Sequence, residues 1–379
     1  MSPPSDRLRL AYLGDPNSVH LRRWAGFFAE RGHRVHLLVP RGLQVRPGLH
    51  PAIELTPFTA LPAQLTPAGV WSSRRDLRRL VRAIGAQVIH AHYARHPAWH
   101  AWLSGARPYL LTVWGSDVLV TRRMTRTGRL ATRLALRQAA LVTAASEALA
   151  DAAVRLGARP ERVRRVQFGV DLRRFRTTEQ ADEAVRQGLG LGPGPVVLSP
   201  RALAPLYRHD TVLEAVAGLP ADTTLLAMST NADTAYRARI EAMARELGLA
   251  DRLRILPPVS DEELPLVFRA ADVVISVPES DGVPASMLEA MATGRPVVAS
   301  DLPGVRDWLG DLTPELLVPV GDAASARRAL ETVLSAGSVE REAIARRLRS
   351  RIEERASEET NMGVVEGWYR ELAADGGRS

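Results

Sequence analysis

Two carboxylates with seven residues between them, Asp281 and Glu289, lie in the stretch ADVVISVPESDGVPASMLEAMATGRPVVASDLPGVRDW, residues 271–308. Between them Gly282 allows close backbone approach, and Pro284 opens a helix at its first turn. Unpaired amides at that helix start can hold a phosphate or sugar oxygen. The β-branched runs VVIS and VVAS flank a segment whose apolar residues Met287, Leu288, Met291 and Ala292 recur at helical spacing, so the stretch is predicted as strand, loop, helix, strand. In an open α/β sheet ligands sit beyond the carboxyl ends of strands, a position filled here by ESDGVPAS. Glu289 falls about a turn and a half into the helix, so both carboxylates face one crevice. An isolated pair at this spacing could equally be a turn residue and a solvated helix position; the residues that follow it argue otherwise.

Those residues, AMATGRPVVAS after D-x7-E, resemble the signature of retaining glycosyltransferases of family 4, E-x7-E followed by A-M-A-x-G-x-P-V-V-A-[ST]. Asp281 replaces the first glutamate, keeping the carboxylate on a side chain one methylene shorter. The resemblance implies a GT-B architecture: two doubly wound Rossmann-like α/β domains facing across a cleft, with a C-terminal helix crossing back to the first. It places a nucleotide-diphosphate sugar in the cleft. Asp281 is then expected to hold sugar hydroxyls, Glu289 the ribose hydroxyls, and the Gly282, Val283, Pro284, Ala285, Ser286 loop the diphosphate. Relatives put an arginine on the donor diphosphate just after the opening strand of the second domain, matched by Arg201, and a lysine about five residues later. Leu206 or Tyr207 occupies the lysine's place, and Arg208 just after it is the substitute. Val259, in the PPVS loop, falls where relatives hold the nucleotide base by main-chain groups.

In the first domain, LRLAYLG, GDPNSVH and LRRWAGFFAERG read as strand, loop and helix before the strand RVHLLVP, a β-α-β unit that begins a parallel sheet. The loop has no G-x-G-x-x-G, which argues against a dinucleotide fingerprint. By resemblance, Gly14 and Ser18 approach the donor phosphate, and Ser18 is equally placed to cap the helix. Residues 40–72 are proline-rich and aperiodic, and an irregular connection is expected there. His92 lies where the strand QVIHAHY should open into the cleft; the histidines of HAHYARHPAWH follow no metal-ligand spacing. Trp114 stands where relatives often carry a histidine that contacts the transferring sugar. It could stack on a sugar face with Asp117 on a hydroxyl, or the two could be a packing plug and a helix cap. Phe168-Gly169-Val170-Asp171 resembles the family's N-G-V-D, with Gly169 near the cleft. The expected domains are 1–175 with a C-terminal helix at about 358–379, and 176–357.

With 379 residues, 46% hydrophobic and 24% charged, the chain suits a globular protein of two or three domains. No apolar run reaches a membrane span, and MSPPSDRLRL lacks a signal peptide's apolar core, so a cytoplasmic protein is expected. There is no cysteine, hence no disulfide and no thiolate chemistry. All 50 basic residues other than histidine are arginine, so any phosphate contact that relatives make with lysine falls to arginine. Residues 1–178 hold 29 arginines against 10 acids, net +19, and residues 179–379 hold 21 against 32, net −11. Arg122, Arg126, Arg129, Arg133 and Arg137 would form one stripe if their segment is helical throughout, and Gly128 weakens that helix. A solvated face accounts for such a stripe; the basic half also suits an anionic membrane surface, making the protein peripheral at the inner face of the membrane.

The function expected from these residues is retaining transfer of a sugar to a glycan or lipid-linked acceptor, by same-face attack in which the leaving phosphate takes the acceptor's proton. With arginines and amides neutralising the diphosphate, neither a metal nor another cofactor is expected. A sugar-nucleotide 2-epimerase shares the architecture but not the D-x7-E helix with its tail. A non-catalytic sugar-nucleotide or nucleic-acid binding protein is the alternative of another class; the basic half has no recognised nucleic-acid motif, and no nucleic-acid partner is expected.

Overall fold

The computed structural model describes residues 7–62, 66–105, 108–121, 124–177, 183–229 and 232–376. The chain forms two units, Met1–Phe168 together with Asn361–Ser379, and Gly169–Thr360. The first is built on β1 (Arg9–Leu13), β2 (Arg34–Pro40), β3 (Ile53–Phe58), β4 (Val88–His92), β5 (Tyr109–Val113), β6 (Leu141–Ala144) and β7 (Val163–Arg165), in the order β3-β2-β1-β4-β5-β6-β7. The second is built on β8 (Val196–Ser199), β9 (Thr224–Met228), β10 (Leu253–Leu256), β11 (Val273–Ser276), β12 (Val297–Ser300) and β13 (Leu317–Val318), in the order β10-β9-β8-β11-β12-β13. Every pairing in both sheets is parallel.

Parallel strands covered by helices on both faces read as continuous apolar runs, because successive side chains enter two different cores. β5 is buried along its whole length; Leu111 and Val113 join one hydrophobic cluster and Leu110 the other. In the second unit Val196 and Leu198 of β8 enter one cluster and Val197 the other. The expected doubly wound α/β architecture is present in each unit.

Two local features depart from the sequence expectation. Residues 40–72 are not irregular throughout: among the described residues they hold β3 and the start of the helix Pro67–Ile84, with irregular stretches at 41–52 and 59–62. Pro57 has no N–H to give a ladder, which is tolerated because β3 is the edge of its sheet. Thr66 caps the helix by accepting from the Gly69 amide at 3.2 Å. Among the described residues the arginine-rich run is helical over Arg126–Gln138, where Thr125 Oγ1 accepts from the Gly128 amide at 3.1 Å and starts the helix. Gly128 lies in that first turn under Trp99, whose ring would stand 3.3 Å from a Cβ. Arg126, Arg129, Arg133 and Arg137 are exposed along the helix, and Arg122 lies outside the described residues.

The C-terminal helix Glu358–Gly376 places Met362, Val365 and Tyr369 in the core of the first unit. The Tyr369 hydroxyl lies 2.9 Å from that of Tyr12 and 2.5 Å from His90 Nδ1, and it accepts from Trp24 Nε1 at 3.1 Å. The chain's end is thus returned to the first unit by apolar burial and a shared hydroxyl. In the second unit Val170 bridges Ser357, and Phe175 is part of the core.

Candidate active site

In the second sheet the connections after β8 run one way and those after β11 the other, so the gap between these neighbours is a topological switch point, where open α/β sheets bind ligands. Arg201 follows β8 by two residues, and the loop carrying Asp281 follows β11. Asp281 Oδ1 accepts from the Gly282 amide at 2.8 Å, and Oδ2 accepts from Arg201 Nη2 at 2.6 Å. Arg201 Nη1 donates to Ser286 Oγ at 3.2 Å, and its guanidinium lies 4.2 Å over the Tyr207 ring. The Arg201 side chain is 13% exposed, so this is a built-in cation and not a surface ion pair.

Pro284 caps the helix Ala285–Ala292, which therefore begins where the sequence placed it. Gly282 is buried, Val283 partly so, and Ala285 and Ser286 form the first turn. Met287, Leu288 and Met291 are fully buried, which fixes this helix against the sheet. Glu289 is only 5% exposed. A carboxylate withdrawn this far from water needs polar company, so it is not a solvated helix position. Ser300 Oγ donates to the Pro278 carbonyl at 2.8 Å and holds the start of the loop.

Arg208 donates from Nε to Asp210 at 3.0 Å and from Nη1 to Glu279 at 3.3 Å. Its backbone has φ +50°, a left-handed conformation that favours glycine and costs a non-glycine residue about 1 kcal/mol. The Glu279 amide donates to the Leu206 carbonyl at 3.0 Å, tying the two loops together. His209, which the sequence reading passed over, is buried with Nε2 3.1 Å from Ser199 Oγ. Burial, and secondarily the charge of Arg201, pull its pKa down to about 4, so it is a neutral ring under the site. Its place directly after Tyr207 and Arg208 was the available signal. Val259 follows β10, with β9 between that strand and β8, and is partly buried against the core.

The first sheet has its own switch point between β1 and β4. Gly14 passes His92 so closely that a Cβ would stand 3.3 Å from the His92 Cβ and 2.9 Å from Leu21 Cδ2. His92 is 4% exposed, and neither ring nitrogen has a hydrogen-bond partner. Burial, with the nearby His20, pulls its pKa down to about 3. Its ring stacks on Trp114 at 5.7 Å, and Trp114, partly buried, stacks in turn on exposed His20 at 4.5 Å. Gly14, His92 and Trp114 are thus brought together, with His20 added.

One expected contact is corrected. Asp117 is fully buried, and its carboxylate accepts from the amides of Ala94 at 2.8 Å, Gly115 at 2.8 Å and Trp114 at 3.1 Å. It staples the loop around Trp114 and is not presented to a sugar hydroxyl. Gly169, at φ +98°, is crowded by the chain's return: a Cβ would meet the Glu358 amide nitrogen at 2.7 Å and the Ala356 carbonyl at 2.8 Å. Its lack of a side chain serves packing. Ser18 occupies the cap position of the helix Val19–Glu30, but its side chain makes no capping bond. Among the described residues no group of three or more His, Asp or Glu is arranged to hold a metal ion. His100 Nε2, for example, accepts from the Leu61 amide.

Comparison with known proteins matches each half of the chain to a family model. Residues 182–358 match the family model for glycosyl transferases group 1, and residues 9–146 match that for glycosyl transferase 4-like proteins. A D-inositol 3-phosphate glycosyltransferase of Xylanimonas cellulosilytica is 30% identical over 345 residues, covering 79% of each chain. Sucrose-phosphate synthase from Thermosynechococcus elongatus superposes with a TM-score of 0.82 at 21% identity, over 97% of this chain and 100% of that one. HepE from Anabaena, solved in complex with UDP-glucose, superposes with a TM-score of 0.77 at 21% identity, over 95% and 98%. With a GT-B fold and a relative at this identity matched over more than two thirds of each chain, the chain belongs to the group 1 glycosyltransferases, of the family 4 type.

Proposed function

We propose that this glycosyltransferase moves a sugar, with retention at the anomeric carbon, from a nucleotide-diphosphate sugar to a hydroxyl of a glycan or lipid-linked acceptor. The observation that carries the reading is the placement of Arg201, largely withdrawn from water, on Ser286 at the start of the helix that follows Asp281. A diphosphate at that helix start meets a guanidinium fork on one side and first-turn amides on the other. Both stabilise the charge that grows on the leaving phosphate as its bond to the anomeric carbon breaks. The acceptor oxygen bonds to that carbon on the same face, and its proton passes to the departing phosphate oxygen. Asp281 orients the sugar through its hydroxyls and Glu289 the ribose, while Arg208 adds positive charge near the diphosphate. Trp114, held from beneath by His92, offers its ring to a sugar or acceptor.

That a neighbour of the same fold was solved with UDP-glucose supports a nucleotide sugar as donor. The test is a thermal-shift panel of UDP-, GDP- and ADP-sugars followed by transfer assays, since a bound donor raises the unfolding midpoint. One donor family should stabilise the protein, and Arg201→Ala should lose about 100-fold or more in turnover. No stabilisation by any donor, or an Arg201→Ala variant with most of its turnover, refutes the reading. Unchanged turnover in EDTA checks that arginine and amides suffice for the diphosphate.

A further inference from the structure

Two charged groups of the proposed donor site, Arg201 and Asp281, are engaged with one another. Arg201 gives Nη2 to Asp281 at 2.6 Å and Nη1 to Ser286 at 3.2 Å, and Tyr207 covers its face. Those two nitrogens form the fork with which a guanidinium grips phosphate. A diphosphate must therefore compete with Asp281 for Arg201. Asp281 is a strong competitor: the pair is largely shielded, at 13% and 20% side-chain exposure, so water and salt weaken it less than an exposed pair. Its other oxygen is fixed by the Gly282 amide. Ser286 is neutral and yields more easily.

Losing Arg201 leaves Asp281 with one backbone donor in a partly desolvated loop, and a half-buried charge without its partner is costly. Hydroxyl groups of a sugar are donors that can replace the lost partner. A bare diphosphate brings none to that side of the site. The carboxylate that guards the arginine is thus also the group that a sugar would satisfy.

We propose, resting on the donor reading above, that Asp281 is a specificity-determining residue that makes the site favour a sugar-bearing nucleoside diphosphate over the bare diphosphate. On donor binding the diphosphate takes Arg201 while Asp281 passes to the sugar hydroxyls. Once the sugar has been transferred, Asp281 is left without them and reclaims Arg201, which weakens the hold on the product diphosphate.

Calorimetry on the full chain tests this with UDP, GDP, ADP and the glucose conjugate of each, for wild type, Asp281→Asn and Arg201→Gln. Asparagine keeps the shape and the Gly282 contact but cannot pair with a guanidinium. Asp281→Asn should bind the preferred bare diphosphate about tenfold more tightly than wild type and lose most of the preference for the conjugate. In the Arg201→Gln background the same substitution should bring no gain. Asp281→Ser, lacking both charge and reach, provides the same measurement should the asparagine variant unfold. Bare-diphosphate binding that is unchanged or weaker in a folded Asp281 variant overturns the proposal, while transfer by wild type would leave the donor reading standing. Wild type that binds none of the six ligands overturns both.

Discussion

The carbonyl oxygen of Gly282 lies where Gly304 would carry its side chain: a Cβ at Gly304 would stand 2.0 Å from it. The helix Pro303–Leu309 is thereby pressed against the loop that carries Asp281. Gly304→Ala forces either the loop or the helix to move. Overpacking of this kind costs about 1–3 kcal/mol, which lowers the unfolding midpoint by several degrees in a unit of this size. Donor turnover should fall as well, because Asp281 and the first-turn amides shift. Gly337→Ala is the control, since nothing lies within 4 Å of that position. A Gly304→Ala protein with the midpoint and turnover of wild type would show that the loop has slack.

Glu289 makes a second, separable prediction. Glu289→Gln keeps the volume of a nearly buried side chain and removes its charge. If the carboxylate holds ribose hydroxyls, the loss is a charged hydrogen bond, about 1.5–3 kcal/mol. Calorimetry should then show the nucleoside diphosphate and its sugar conjugate weakened alike, by about tenfold or more. A loss confined to the conjugate would move Glu289 from ribose to sugar.

Much of this site was legible because its chemistry is local in sequence: Asp281 to Glu289 is one loop and one helix, and β-branched runs mark the strands on either side. The Arg201–Asp281 pair spans 80 residues and depends on β8 and β11 being neighbours, which no local pattern states. The roles of Asp117 and Gly169 are not legible locally for a related reason. Whether a carboxylate faces solvent or three amides, and whether a glycine serves a ligand or the returning chain, depends on partners distant in sequence or on loop geometry. β3 was missed because a strand carrying Pro57 reads as irregular unless it is known to be an edge.

Buried histidines give the fold an acid limit. Burial pulls His92 down to about 3, and His100 and His209 to about 4, whereas an unfolded imidazole titrates near 6.5. Between those values the unfolded chain binds more protons, so stability is complete above about pH 6.5 and falls as the pH drops. Each such histidine should cost about 2 kcal/mol between pH 7 and pH 5. Chemical denaturation at the two pH values measures the sum. His92→Leu removes one titrating group and two unpartnered nitrogens, so it should lose less stability on acidification than wild type. An equal loss in both proteins would show that His92 becomes protonated in the folded state.

The basic first unit predicts attraction to anionic lipid. On the helix Pro67–Ile84, Arg74, Arg75, Arg79 and Arg82 are exposed, and Trp71 is 61% exposed with Arg75 5.3 Å over its ring. A second basic face, Arg126–Gln138, carries Leu130 exposed among its arginines. Exposed aromatic and aliphatic groups set among arginines suit the boundary between headgroups and acyl chains, and each arginine near an anionic surface contributes about 1 kcal/mol. No helix among the described residues is long and apolar enough to cross a membrane. Vesicles containing phosphatidylserine should pellet the protein and purely neutral vesicles should not, with binding weakened by added salt. Replacing Arg74, Arg75 and Arg79 with glutamine should reduce pelleting without altering the thermal midpoint, because these side chains contribute charge and little packing. Equal pelleting with both vesicle types would show that the positive half faces some other anion.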